Sequence, residues 1–110
     1  LFAEARRLQI GFVLGYAELT PEGRHYNTSI LVDRRGVVRH KYRKVHPWIP
    51  WEVHTSPHDL PGYTDPLFPV AHTPIGTLGC AICYDWLFPE AMRQLAANGA
   101  EVLIDFFETL

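Results

Sequence analysis

The sequence predicts a layered α/β protein with helices packed on a central sheet. Three observations carry that expectation: short apolar runs at 10–14, 28–32, 78–82 and 101–107 that read as strands, one amphipathic helix from Phe88 to Asn98, and a hairpin turn at Asp33–Gly36. The chain has 110 residues, 47% of them hydrophobic, with three Trp, five Tyr and six Phe. That is the balance of an ordinary globular domain, and it excludes a disordered tail or a fibre. One domain, spanning 1–110, is the most that this length accommodates.

At the start, Leu1, Ala5 and Leu8 fall on one helical face, with no capping residue before them, so the helix is expected to begin upstream. Ile10–Leu14 and Thr28–Val32 are almost unbroken apolar runs, the pattern of inner strands covered on both faces. Asp33-Arg34-Arg35-Gly36 follows as a turn, because Asp starts it and Gly tolerates positive φ at its end. The strand from Val37 to Tyr42 then alternates Val38, His40 and Tyr42 against Val37, Arg39 and Lys41, and leads directly into Lys44. Seven of the nine prolines lie between Pro47 and Pro74, so regular structure is expected to be sparse there. A turn at Pro74–Thr77 precedes a buried strand at Leu78–Ile82. In the helix that follows, Phe88, Ala91, Met92, Leu95 and Ala96 form the apolar stripe, Pro89 suits the first turn and Gly99 the C-cap. Glu101–Phe107 reads as a last buried strand, and both ends of the chain look cut.

Charge and composition narrow the function classes. The net charge is −2 and Lys/Arg runs stop at two residues apart from the interrupted Arg39–Lys44 stretch, so no nucleic-acid partner is expected. No run approaches the ~18 apolar residues of a membrane span, and the N-terminus lacks a signal-peptide pattern, so a soluble cytoplasmic protein without membrane contact is expected. Two cysteines make no disulfide framework.

Chemistry concentrates in two stretches. In Gly79-Cys80-Ala81-Ile82-Cys83-Tyr84-Asp85-Trp86 a buried strand turns sharply toward a helix with Cys83 at the corner. Such a corner exposes a nucleophile while free backbone N–H groups stand ready to hold an oxyanion, and a helix start favours negative charge. Cys80 and Cys83, three apart on an extended strand, point to opposite faces and are not expected to meet, which leaves Cys80 as a small core residue. Lys41-Tyr42-Arg43-Lys44-Val45-His46-Pro47 carries Lys44 into the proline-rich loop. Alone it reads as a solvated charge; beside a thiolate its ammonium favours the anion and neutralises a tetrahedral oxyanion. Glu52 sits among Pro50, Trp51 and Trp48, where partial burial is expected to favour its protonated form. The bland alternative is a surface glutamate. His46, His54, His58 and His72 match no familiar zinc spacing, so neither metal nor cofactor is expected.

These stretches resemble the carbon-nitrogen hydrolase superfamily of nitrilases and amidases. Tyr42-Arg43-Lys44-Val45-His46-Pro47-Trp48 is similar to the segment with that family's catalytic lysine, and Ile82-Cys83-Tyr84-Asp85-Trp86-Leu87-Phe88-Pro89-Glu90 to its nucleophile segment. Tyr26-Asn27-Thr28, with Asp33 and Gly36, matches the strand pair before the lysine. The spacing from Lys44 to Glu52 across Pro-Trp-Ile-Pro is particularly similar to the aliphatic amidase and formamidase branch. The resemblance implies a four-layer α-β-β-α sandwich, of which this chain is the central part, and a homo-oligomer at full length. It implies Cys83, Lys44 and Glu52 as catalytic residues, with Glu52 a structural and acid-base helper. Tyr84 and Trp86 are expected to contact substrate. The family's general-base glutamate matches none of Glu4, Glu18 or Glu22, and Asp105-Phe106-Phe107-Glu108 departs from the family pattern after its strand.

The expected activity is hydrolysis of a small amide, carbamoyl or nitrile substrate through a cysteine acyl-enzyme. Two rivals are acyl transfer to an amine, since water and amines compete for one acyl-enzyme, and an inactive fragment serving as an assembly module.

Overall fold

A computed structural model of the chain describes residues 1–48 and 50–107. Ile49 of the Pro-Trp-Ile-Pro run and Glu108 of the C-terminal departure lie outside the described residues. The elements run α1 (Phe2–Arg7), β1 (Phe12–Leu19), β2 (His25–Val32), β3 (Val38–Arg43), β4 (Val70–Thr73), β5 (Gly76–Ile82), α2 (Pro89–Ala97) and β6 (Val102–Phe106), with a one-turn helix at Cys83–Leu87 between β5 and α2. They form two three-stranded sheets, ordered β1-β2-β3 and β4-β5-β6. The first is an antiparallel meander; in the second β4 is antiparallel to β5, whereas β6 is parallel to it, with α2 on the crossover.

Strand alternation explains how the sheets meet. Ser29, Leu31, His40 and Tyr42 lie on one face of the first sheet, as the pairs Ser29–Tyr42 and Leu31–His40 require. Leu78, Cys80, Ile82, Ile104 and Phe106 lie on one face of the second. These faces pack together: the Ser29 hydroxyl donates to the Cys80 sulfur at 3.0 Å, and the His40 ring nitrogen Nε2 lies 2.9 Å from the Pro69 carbonyl. Burial of His40 holds its imidazole below the usual histidine range. On the outer side of the second sheet α2 lays Leu95 over Gly79, where an added Cβ would stand 3.0 Å from the Leu95 side chain. On the outer side of the first, Phe2 of α1 meets Phe12 edge to face at 5.1 Å. The layers are therefore helix, sheet, sheet, helix.

The hairpin turn forms as the sequence requires. Asp33 accepts backbone hydrogen bonds from Arg35 and Val37, and Gly36 takes φ +86°, which a side chain would resist. The backbone N–H of Val37 and the Arg39 guanidinium hold the half-buried Asp33 carboxyl down at about 2. In α2, Ala91 and Leu95 are buried, Phe88 and Met92 half-buried, and Gly99 follows the last turn at φ +102°.

Four expectations need correction. The first strand is not an inner one: it runs from Phe12 to Leu19, pairs only with β2 among the described residues, and alternates in burial because one face is better covered than the other. The strand at 101–107 is not deeply buried, with Val102 47% exposed, since β5 is its single described neighbour. The N-terminal face of Leu1, Ala5 and Leu8 is not the packed one; Leu1 and Leu8 are exposed, and Phe2 makes the contact instead. Ala96, assigned to the apolar stripe of α2, faces solvent. The proline-rich segment is mostly irregular as expected, yet it ends in β4, which periodicity over four residues was too short to reveal.

Candidate active site

β3 and β5 both end at one side of the paired sheets, and the residues just beyond those ends carry the chemistry. Tyr42, Val45, Cys80 and Ile82 form a buried cluster against which Cys83 packs. Lys44 lies between the first two of these, and its N–H extends the sheet ladder by donating to the Asn27 carbonyl at 2.8 Å. The lysine and the cysteine segments are thus brought to one place by the same core.

Cys83 is half-buried and has φ +48°, a left-handed conformation that costs a non-glycine residue about 1 kcal/mol or more. The turn is the sharp strand-to-helix corner anticipated from the sequence, and the Cys83 backbone N–H faces the Asp105 carboxylate at 3.3 Å. Both cysteines are free thiols. Cys80 sits in the core with its thiol pushed up to about 12 by burial, which the Ser29 hydrogen bond only partly offsets.

Lys44 is only 3% exposed, so it is not the solvated charge that its sequence context alone suggests. Its ammonium donates to Glu52 at 2.8 Å to Oε2 and 3.2 Å to Oε1. Glu52 also accepts from the Asn27 amide at 2.8 Å and the Trp48 backbone N–H at 2.9 Å, and His54 Nδ1 stands 3.2 Å away. Here the expectation of a protonated carboxyl fails. Burial does push Glu52 upward, but the hydrogen bonds from Lys44, Asn27 and Trp48 outweigh it and hold the carboxyl below its ordinary value. Donors thus reach both oxygens of this carboxylate, and Lys44 bonds to each of them.

Glu18 is separated from this cluster by strand alternation. Glu18 lies on the outer face of the first sheet with Lys41 and Arg43, and accepts from both and from Thr28. The Arg43 guanidinium, against an opposing burial effect, lowers Glu18 to about 2. A group so held is a poor proton acceptor at neutral pH. A cleft of about 330 Å³, lined among others by Arg24, Tyr26, Arg43 and Tyr63, also lies on that outer side.

Tyr84 and Trp86, expected to contact substrate, stand in the one-turn helix after Cys83. The Tyr84 ring packs edge to face on Phe88 at 5.1 Å, and Phe88 stacks on His46 at 4.0 Å. Trp86 is half-buried and its indole N–H is buried without a partner among the described residues. Trp48 and Trp51 are exposed and touch each other, with ring centroids 4.9 Å apart.

Sequence reasoning did not assign roles to Asn27, Tyr42, His46, Asp85 or Asp105. Asp85 is fully buried and accepts from the Tyr42 hydroxyl at 2.6 Å and the backbone N–H of Ile82 at 2.9 Å and of His46 at 3.0 Å; the His46 ring nitrogen Nδ1 stands 2.8 Å away. The signal that could have found it was present: an acid two residues after a candidate nucleophile, in a strand-to-helix turn lined by apolar neighbours. Among the described residues no group of three or more His, Cys, Asp or Glu could hold a metal ion, and no helix is long and apolar enough to cross a membrane.

Comparison with known proteins agrees with this architecture. A family model described as carbon-nitrogen hydrolase matches residues 1–109. A formamidase of Pseudomonas syringae pv. tomato is 41% identical over 91 residues, covering 79% of this chain and 24% of the relative. A formamidase of Bacillus thuringiensis is 39% identical over 107 residues, covering 94% of this chain and 30% of the relative. A solved carbon-nitrogen hydrolase from Helicobacter pylori G27 superposes with a TM-score of 0.78 at 30% identity, covering 94% of this chain and 34% of that one. A mutant amidase from Nesterenkonia sp. AN1, showing Michael addition of acrylamide at its active-site cysteine, superposes with a TM-score of 0.76 at 33% identity over 96% of this chain and 39% of that one. The chain thus spans about a quarter to two-fifths of the length of these relatives. From sequence pattern, sheet arrangement and family match together, this chain belongs to the carbon-nitrogen hydrolase family, within the nitrilase and amidase superfamily.

Proposed function

We propose that the full-length protein hydrolyses the carbon–nitrogen bond of a small amide, with Cys83 as nucleophile and Lys44 as electrostatic partner. The observation that carries the reading is that Lys44, buried and paired with Glu52, stands in the chain between Tyr42 and Val45 of the core cluster against which Cys83 packs. A buried ammonium is costly unless it has a task or a counter-ion, and here Glu52 and Asn27 fix where it points. The formamidases among the relatives, and the amidase structure with butyramide bound, favour a short aliphatic amide over a nitrile.

In this mechanism the Cys83 sulfur attacks the amide carbon and the carbonyl oxygen takes the negative charge. Lys44 and the backbone N–H of Tyr84, which follows the Cys83 N–H already directed at Asp105, stabilise that oxyanion. The carbon–nitrogen bond then breaks, the amine leaves with the proton given up by the thiol, and an acyl thioester remains on Cys83. Water attacks the thioester, releasing the acid and restoring the thiol. Glu52 holds Lys44 throughout.

Ammonia release from formamide, acetamide and propionamide by the full-length protein tests this reading. Turnover by the parent and its loss in both Cys83→Ala and Lys44→Met is the expected result. Turnover that survives Cys83→Ala would remove the proposal. Adding hydroxylamine distinguishes acyl transfer, which would appear as a hydroxamate.

A further inference from the structure

We infer that Asp85 is a positioning residue, its single carboxyl fixing the Cys83 corner to the loop that carries Lys44; this rests on the proposed roles of those two residues. The connections are direct. Oδ2 accepts from Ile82 N–H at 2.9 Å, immediately before Cys83, and from the Tyr42 hydroxyl at 2.6 Å, two residues before Lys44. Oδ1 accepts from His46 N–H at 3.0 Å and stands 2.8 Å from the His46 ring nitrogen Nδ1, two residues after Lys44. The lysine is therefore bracketed on both sides, and the cysteine is held from its own strand.

Two further features require such a fastener. Cys83 is kept at φ +48°, and a strained conformation persists only where its surroundings over-determine it. The Ile82–Asp85 bond closes the turn across that very residue. Tyr42 hands the link onward, since its hydroxyl also accepts from the Val45 N–H at 3.1 Å, on the far side of Lys44. Asp85 is fully buried, so water cannot replace it as an acceptor, and removing it strands several donors at once. The consequence is geometric: without Asp85 the two segments still belong to one core but lose their fixed separation. A displacement of about 1 Å between reacting groups can cost on the order of 10²-fold in rate.

The test uses Asp85→Asn, Tyr42→Phe and their combination in the full-length protein, reading kcat and KM for ammonia release and the rate of Cys83 alkylation by iodoacetamide. Asn presents an N–H₂ to one of two sets of donors whichever way it turns, so it cannot reproduce the link. Asp85→Asn is expected to lower kcat on the order of 10²-fold with KM within about twofold, and to slow alkylation about tenfold. Tyr42→Phe is expected to move the same quantities the same way, and the double variant to be no worse than Asp85→Asn, because the residues act as one unit. Ser29→Ala, which cuts the buried bond between the sheets, is the control: a lower Tm with kcat and alkylation unchanged. Parent-like kcat and alkylation in both single variants, or losses that simply multiply in the double, would overturn the inference. If Asp85→Asn does not fold, Tyr42→Phe decides alone. Should the parent turn over no amide, the proposed function fails while the alkylation rates still decide the role of Asp85.

Discussion

Replacing Glu52 by Gln tests whether the buried ion pair is as tight as its geometry implies. Both oxygens of Glu52 face donors: Lys44 and Asn27 at Oε1, Lys44 and Trp48 N–H at Oε2. Gln supplies one acceptor oxygen and one N–H₂, so either orientation sets donor against donor. A charge-assisted hydrogen bond to Lys44 is lost, worth about 2 kcal/mol, and one buried N–H goes unsatisfied at about 1 kcal/mol. The loss of the counter-charge beside an ammonium only 3% exposed acts in the same direction. Urea unfolding of full-length Glu52→Gln at pH 7 should therefore show a deficit of about 3 kcal/mol, and ammonia release should fall with it. Adding Lys44→Met removes the uncompensated charge, so the double variant should be the more stable of the two while remaining inactive. A deficit below about 1 kcal/mol with kcat unchanged would refute the reasoning, since an exposed pair behaves that way.

Other outcomes follow from individual residues. Glu18 is held at about 2 against an ordinary 4.5, so its stabilisation is complete above pH 4.5 and is lost as pH falls toward 2. Glu18→Gln should flatten acid unfolding in that window when followed by circular dichroism. Gly79→Val should destabilise by about 2 kcal/mol in thermal unfolding, since its Cβ alone would stand 3.0 Å from Leu95 and 3.2 Å from Ala100. Cys80, buried with its thiol at about 12, should stay unalkylated by iodoacetamide at pH 8 in the native protein and react only on unfolding. Peptide mapping after quench reads both thiols in one experiment.

The sequence made the corner at Cys83 legible because it combined a buried strand, a cysteine and a helix start within nine residues. It made the hairpin legible through Asp33 and Gly36, which act on their own neighbours. Where the deciding interaction was local, the reading held. Glu52 shows the opposite: its environment was judged from adjacent Trp and Pro residues, whereas its protonation is set by Lys44 and by Asn27, which is 25 residues away. Asp85 went unassigned for the same reason, since its partners are distant in sequence: Tyr42 comes from β3 and His46 from the loop beyond it. The first strand was misjudged because an apolar run reports that a strand is apolar, not how many neighbours cover it. Phe12–Leu19 pairs on one side among the described residues, and its alternate residues are left exposed.

Intact-protein and peptide mass spectrometry of the full-length protein, quenched with acid during turnover of acetamide, tests the role of Cys83 most directly. An added acetyl mass should map to the tryptic peptide 45–93 and, within it, to Cys83, and should vanish in Cys83→Ala but persist in Cys80→Ala. An acetyl group on Cys80 or on Lys44, or steady turnover in Cys83→Ala, would contradict the mechanism.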